Sequence, residues 1–110
     1  MADAILYMHT SESKAYTFDF AAVLPSTDSA LSNIGAGDST IDAFNYAGTD
    51  VGSTILSGKT RTGKTLIVTI GALTLGQEYD VRFVGEGATS GQKFVKLLKV
   101  IARDDLSGEF

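Results

Sequence analysis

Leu73-Thr-Leu-Gly-Gln-Glu-Tyr-Asp-Val-Arg-Phe-Val84 is the stretch that decides the fold. Gly76 permits a tight bend, and after it Tyr79, Val81 and Phe83 point to one side of an alternating run. A tyrosine that follows a Leu-x-x-Gly turn at the start of a strand is typical of a tyrosine corner. There the ring packs between two sheets and the hydroxyl bonds backbone a few residues upstream. The stretch therefore predicts an all-β, immunoglobulin-like antiparallel sandwich.

Short apolar runs separated by turn residues continue along the chain and bring the expected total to about seven strands. Ala15–Phe20 alternates, with Tyr16, Phe18 and Phe20 on one face, and Thr65–Ile70 is apolar enough for a central strand. The other expected strands are Leu31–Ile34, Thr40–Tyr46 with a bulge or a strand end near Ala43, Ser53–Leu56 and Tyr79–Val84, while Ser57–Lys64 and Gly85–Gly91 are expected to be turns.

The segment Lys93–Ile101 fits two structures. Four apolar residues recur at the spacing of a helical face: Phe94, Leu97, Leu98 and Ile101. The glycine-rich loop before the segment and its β-branched residues favour an antiparallel return strand instead. We predict a strand.

A length of 110 residues fits one domain. We expect residues 14–103 to form the sandwich and residues 104–110 to be a flexible tail. Within residues 1–13, the apolar run Ala4–Met8 is either an edge strand or an arm that reaches a neighbouring molecule, since an apolar terminus on a small domain needs a partner surface. The sequence leaves both open.

Composition and charge exclude several classes of function. The net charge of −4 argues against a general nucleic-acid binder. Seven acids and one base precede Ser57, whereas six acids and eight bases lie from Ser57 onward, which suggests complementary surfaces. No apolar run approaches the roughly 20 residues of a membrane span, and the first residues lack the basic region of a signal peptide. Cysteine is absent, so disulfides and thiolate chemistry are excluded.

One segment, Gly58–Thr65, matches the phosphate-binding loop pattern G-x-x-x-x-G-K-[ST]. That chemistry requires a helix whose N-terminus points at the phosphates, and a strand sequence follows here. We interpret the segment as a polar hairpin whose Lys59, Arg61 and Lys64 keep a sheet edge soluble.

The remaining polar residues do not form a credible active site. His9 is the only histidine and lies in a predicted loop without an orienting partner. The carboxylates Asp38, Asp42 and Asp50 lack the spacing of a calcium loop, and the pair Asp104-Asp105 reads as solvated. The sequence therefore predicts a protein that is not an enzyme, with no cofactor and no metal.

Two segments carry a resemblance to a known family. They are Tyr16-Thr-Phe-Asp-Phe-Ala-Ala-Val-Leu24 with the acidic stretch after it, and the closing hairpin from Gly76-Gln-Glu-Tyr79 through Ser90-Gly91-Gln92 to the last strand. Together they resemble the fibre-to-tail adaptor proteins of tailed bacteriophages, which are small immunoglobulin-like virion proteins. The chain has Phe20 where that family usually has Trp.

The resemblance implies a non-enzymatic structural protein of the virion, assembled in the cytoplasm of the bacterial host. It would join neck or tail components or fibres through surface and strand-edge contacts, and its partners would be other virion proteins in a homo-oligomeric ring or symmetric array, with no nucleic acid and no membrane. A capsid decoration (cement) protein of the same fold and a carbohydrate-binding module are the alternatives.

Two sets of residues follow from these expectations. The candidate partner contacts are the apolar run Ile5, Leu6, Tyr7 and Met8 and the basic hairpin Lys59, Arg61 and Lys64. The expected determinants of the fold are Tyr16, Asp19, Phe20, Gly76 and Tyr79, with Phe20 in the core and Asp19 bonding a turn or a backbone N–H.

Overall fold

The computed structural model describes residues 4–35 and 38–103, which form two β-sheets packed face to face. This confirms the expected all-β sandwich. The described residues contain seven strands and one helical turn: β1 (Ala4–Met8), β2 (Lys14–Asp19), β3 (Thr40–Asn45), α1 (Gly52–Ile55), β4 (Leu56–Thr62), β5 (Thr65–Ile70), β6 (Glu78–Glu86) and β7 (Lys93–Ala102).

The strand order is immunoglobulin-like. One sheet has the order β1-β7-β6-β3 and the other has the order β2-β5-β4. Every neighbouring pair is antiparallel except β1 and β7, which run parallel. In the immunoglobulin arrangement the third, sixth and seventh strands share one sheet, and the second, fourth and fifth share the other. This chain follows that division, and its first strand lies beside its last.

Aromatic rings join the two sheets. Phe18 of β2 meets Phe83 of β6 edge-on, with ring centroids 4.8 Å apart, and Tyr16 lies 6.3 Å from the same ring. Phe20 is fully buried, as expected from the sequence. Its ring packs against Gly85, where a Cβ would come within 2.9 Å of Phe20 Cδ2. β6 therefore carries a glycine where the Phe20 ring packs against its backbone.

The predicted tyrosine corner is present. Tyr79 is 5% exposed, and its hydroxyl accepts a hydrogen bond from the Thr74 N–H at 3.0 Å. Gly76 has a φ of 79°, a value that glycine adopts without strain. Its N–H donates to the carbonyl of Ala102 at 3.1 Å, so the bend is tied to the end of β7. The turn before β6 is thus held from two sides.

Asp19 has the local role that the sequence predicts. Its Oδ1 accepts a hydrogen bond from the Ala21 N–H at 2.8 Å, which closes the turn after β2. Lys93–Ala102 is a strand, as predicted, with Leu98, Val100 and Ala102 facing the core. The tail expected over residues 104–110 lies outside the described residues, as do residues 1–3.

Two expected strands are wrong. Leu31 and Ile34 make only isolated bridges, with Gly87 and Ser39 respectively, so Leu31–Ile34 is not a strand. Residues Ser53–Ile55 belong to α1, where the Ile55 N–H donates to the Val51 carbonyl at 3.1 Å, and Leu56 begins β4. Short apolar runs do not distinguish a strand from one turn of helix.

The segment Ser57–Lys64, expected to be a turn, is mostly strand. β4 extends to Thr62, and only Gly63 and Lys64 form the turn that leads into β5. β4 lies at the edge of its sheet and is largely exposed, so its side chains are polar although its backbone is paired. A register shift between Ser57 and Thr60 marks a bulge in this strand.

β3 has no bulge near Ala43. Its register with β6 is continuous from Thr40 opposite Val84 to Asn45 opposite Tyr79. Phe44 points away from the core, and the guanidinium of Arg82 lies 5.0 Å from its ring centroid. Ile41 is buried, so Ile41 and Phe44 lie on opposite faces of the sheet. The expected loop Gly85–Gly91 also begins later, because β6 continues through Glu86.

Replacing Tyr79 with phenylalanine tests the corner. We expect Tyr79→Phe to lower the free energy of unfolding by about 1 kcal/mol, because the Thr74 N–H loses its acceptor. Urea unfolding measures the change as a lower midpoint with an unchanged slope. Tyr46→Phe is the matched control, since Tyr46 is 85% exposed and should leave the midpoint in place. Equal midpoints for wild type and Tyr79→Phe would contradict the role of the hydroxyl.

Candidate interaction surface

The apolar run at the N-terminus is an edge strand whose side chains divide between two faces. Ile5 is 57% and Tyr7 is 47% exposed, whereas Met8 is 0% exposed and Leu6 packs half-buried against the core. The division follows from the pairing of β1 with β7 because side chains alternate along a strand. Of the four predicted contact residues, Met8 and Leu6 are therefore core residues, and only Ile5 and Tyr7 are placed to meet a partner.

Ile5 and Tyr7 belong to a larger apolar surface. We call the solvent-facing side of the four-stranded sheet the outer face. Tyr7 lies opposite Ile101 in the register, and Val84 lies opposite Val95, which is 53% exposed. The apolar residues of the outer face are Ile5, Tyr7, Phe44, Val84, Val95, Leu97 and Ile101.

Charged side chains occupy the rest of the outer face. Arg82 NH2 lies 3.4 Å from Asp42 Oδ2, and Lys99 Nζ lies 3.2 Å from Glu78 Oε1. The hydrogen bond to Glu78 raises the pKa of Lys99 above its ordinary value, so the ammonium stays charged at neutral pH. Asp80 is exposed and lies opposite Lys99. The face therefore combines an apolar stripe with charges of both signs.

A shallow depression of about 430 Å³ opens on the outer face. Its rim carries Tyr46, which is 85% exposed. Phe44 lies in the depression, but Arg82 covers one side of its ring. The lining residues are Phe44, Asn45, Tyr46, Gly48, Asp80, Arg82, Leu97 and Lys99.

The basic hairpin lies on a different part of the molecule. Lys59 is exposed on β4, Arg61 bonds the side-chain oxygen of Asn33, and Lys64 sits half-buried in the turn to β5. β4 approaches β3, at the opposite end of the four-stranded sheet from β1. The structure therefore does not bring the hairpin together with Ile5 and Tyr7. The strand Thr65–Ile70 directly follows the phosphate-loop pattern, as predicted.

Asp28, in the acidic stretch after Leu24, is a fully buried carboxylate to which the sequence assigned no role. Its Oδ1 accepts the N–H groups of Thr89 at 2.8 Å and Ser90 at 2.9 Å, and its Oδ2 accepts the Ser90 hydroxyl at 2.6 Å. Any Cβ at Gly87 would collide with this carboxylate. Asp28 therefore fastens the segment after β2 to the β6–β7 turn. In the sequence, only Gly87 and Ser90 of that turn could have indicated this contact.

These hydrogen bonds set the charge state of Asp28. The bonds from the side chain and backbone of Ser90, and then from the Thr89 N–H, hold the pKa of Asp28 below its ordinary value. A lowered pKa suits a carboxylate that stays ionised as an acceptor, whereas a general acid needs a raised one. The arrangement is that of a structural anchor.

The turn between β1 and β2 contains the single histidine. Glu12 Oε1 accepts the His9 N–H at 2.7 Å, and Lys14 lies 3.3 Å from Glu12. The bond from His9, helped by Lys14, lowers the pKa of Glu12. His9 Nδ1 is 2.7 Å from the hydroxyl of Ser11. These contacts are local to the turn that brings β1 to β2.

Within residues 4–35 and 38–103, no three His, Asp or Glu side chains cluster as metal ligands, and no helix has the length and apolarity to cross a membrane. Comparisons with protein-family models, curated proteins and solved structures give no match to this chain.

Acid should weaken the Asp28 anchor. Because the pKa of Asp28 is lower in the folded protein than its ordinary value of 3.8, its contribution to stability is complete above that value and is lost as the pH falls below it. We expect Asp28→Asn to lower the melting temperature at pH 7 and to flatten its decline below pH 4. Thermal unfolding across this range measures both effects.

Asp38→Asn is the matched control, since Asp38 is exposed and should leave the pH profile as in wild type. A decline of the same steepness in wild type and Asp28→Asn would contradict the anchor.

Proposed function

We propose that this chain is a non-enzymatic structural protein of a tailed-bacteriophage virion, an adaptor that joins neck or tail components or fibres through its outer face and a strand edge. The observation that carries the proposal is the placement of three exposed apolar side chains on one sheet face: Ile5, Tyr7 and Val95 are 57%, 47% and 53% exposed. Contiguous apolar groups rimmed by charge are typical of a protein–protein contact. The resemblance to the adaptor family is the basis for placing this contact in a virion.

A rigid support favours this use of the outer face. β6 and β7 pair without interruption from Glu78 opposite Ile101 to Glu86 opposite Lys93. The side chains of the face therefore keep fixed spacings, and few backbone degrees of freedom are lost when a partner binds. A surface of this kind suits an assembly part, whose contacts must be repeated identically in every particle.

β2 offers a strand edge. It ends its sheet, with no strand of the described residues on its other side. The Phe20 N–H donates to the Lys64 carbonyl. Because bonded and non-bonded residues alternate along an antiparallel strand, the backbone groups of Tyr16 and Phe18 bond β5. Those of Ala15 and Thr17 therefore point outward, away from β5. Tyr16 and Phe18 are only half-buried beside this edge.

The opposite edge of the same sheet is protected. β4 carries Lys59 and Arg61 and contains a bulge, and these features discourage pairing with another chain. β2 carries small or uncharged side chains at Ala15 and Thr17, which leave room for an added strand. Strand addition is therefore favoured at β2.

A carbohydrate ligand is the second candidate, and the depression beside Tyr46 favours it. An exposed tyrosine next to the carboxylate of Asp80 suits the apolar face and hydroxyls of a sugar. The ring of Phe44 is less suitable because Arg82 covers it. A glycan array tests this function: clear binding that Tyr46→Ala abolishes would support it, and no binding would remove it.

The outer face is tested by charge substitution. We expect Ile5→Glu combined with Tyr7→Glu to lower incorporation into particles at least about tenfold, because a contact would bury unpaired carboxylates. Quantitative mass spectrometry of purified particles gives the copy number per particle, with circular dichroism as the check of folding. Removing residues 1–10 is a poorer test, since it deletes β1 and the core residue Met8.

Leu75→Glu is the matched control, because Leu75 is 57% exposed and lies in the turn before β6, outside the strands that form the outer face. It should be incorporated as wild type. Normal incorporation of the Ile5 and Tyr7 variant would contradict the proposal. In wild-type particles, a handful or a dozen copies indicates a neck or tail adaptor, and hundreds of copies indicate capsid decoration.

Proline tests the β2 edge. Thr17→Pro should stay folded, because the lost N–H points away from β5, and it should reduce incorporation by blocking strand addition. Tyr16→Pro should unfold the domain at ambient temperature, since it removes a ladder hydrogen bond to β5 at a cost of about 3 kcal/mol or more. A folded Thr17→Pro variant that is incorporated normally would show that the edge is not used.

A further inference from the structure

We propose that the outer face is covered by the outer face of a second copy of this chain, related by a two-fold axis that runs along the strands between β6 and β7. The inference rests on the proposed function, which makes the outer face a contact surface, and it names the partner of that surface. It is carried by the pattern of apolar and charged side chains that the sheet register sets out.

The register arranges the outer face in five rows across the strands. Within a row, neighbouring strands contribute directly opposed residues, in the order β3, β6, β7 and β1. The apolar side chains lie mainly on β7 and β1, and the charged ones mainly on β3 and β6. The rows are Glu86 and Lys93; Thr40, Val84 and Val95; Asp42, Arg82 and Leu97; Phe44, Asp80, Lys99 and Ile5; and Glu78, Ile101 and Tyr7.

A two-fold axis along the strands places apolar side chains against apolar side chains, and it places charged side chains against side chains of opposite charge. It keeps each row and sets β6 over β7 of the second copy and β3 over its β1. Val84 then meets Val95 of the second copy, and Phe44 meets its Ile5. Asp80 meets Lys99 of the second copy, and this charge contact forms twice by symmetry.

The other three contacts of β6 are compatible with this arrangement, and in one of them Glu86 meets Lys93 of the second copy. Arg82 meets Leu97 of the second copy, and the alkyl part of an arginine packs on an apolar side chain while its head stays in contact with Asp42. Glu78 meets Ile101 in the last row, where its carboxylate reaches water at the rim. Two sheets packed in this aligned way follow the usual geometry of facing sheets.

A two-fold axis across the strands fits less well. Centred on the third row, it would set Arg82 against Arg82 of the second copy and Glu86 against its Glu78. Both contacts would bring like charges together, which is unfavourable. The pattern of the face therefore selects the axis along the strands.

The size of the face predicts a weak dimer. β6 and β7 each contribute five outward positions, β3 three and β1 two; with strands about 4.8 Å apart and rows about 7 Å apart, the footprint is roughly 500 Å². Stable complexes bury about 800 Å² on each partner. We therefore expect dimers at high micromolar concentration, and more complete pairing where copies are held close together in a particle.

Charge reversal with mixing is the decisive experiment. In Asp80→Lys, both symmetric contacts of a homodimer bring two ammonium groups together, and in Lys99→Asp they bring two carboxylates together. Each variant alone should associate at least about tenfold more weakly than wild type. An equimolar mixture should regain dimerisation, because both contacts of the mixed dimer pair opposite charges. If the single variants associated weakly only because of charge repulsion within one copy, mixing them would not restore dimerisation.

Sedimentation velocity of the full chain over a concentration series measures association, and Lys59→Asp on the basic hairpin is the control that should behave as wild type. Wild type that stays monomeric at high concentration, or a mixture that associates no better than the single variants, would overturn the inference. If wild type is monomeric while the Ile5 and Tyr7 variant fails to enter particles, the proposed function stands and only the choice of a second copy fails.

Discussion

The packing of aromatic rings between the sheets is the constraint on which the rest of the structure depends. Phe83 of β6 receives Phe18 from the opposite sheet at 4.8 Å, and Phe20 fills the space that Gly85 leaves open. These contacts fix which side of each strand is inside. Once that side is fixed, strict alternation assigns every second residue of the four-stranded sheet to the outer face. The composition of the outer face is thus a consequence of the core.

The first strand shows how this constraint shapes function. Its pairing with β7 sends Met8 and Leu6 inward, and the same register turns Ile5 and Tyr7 outward. The run that the sequence left open as an edge strand or an arm is therefore an edge strand, with alternate residues in the core and on the outer face. The outer face is therefore best probed by substitution of outward residues and not by truncation.

The sequence predicted most of the fold where the physical signal is local. The bend at Gly76 with Tyr79 and the alternation around Phe20 depend on neighbours in the chain. The sequence did not predict the edge strand β4, because this strand is exposed and its side chains are polar. It also did not predict the outward position of Phe44, because that position depends on the pairing of β3 with β6. The outer face and the Asp28 anchor join residues distant in sequence, so only the structure brings them together.

Hydroxyl-radical footprinting of the protein, free in dilute solution and within purified particles, tests most directly whether the outer face is the working surface. Oxidation of a side chain follows its exposure to solvent. The account predicts that Tyr7 and Val95 lose reactivity in the particle, while Val23 and Leu75, which are exposed elsewhere on the domain, keep theirs. Equal oxidation of Tyr7 and Val95 in both states would contradict it.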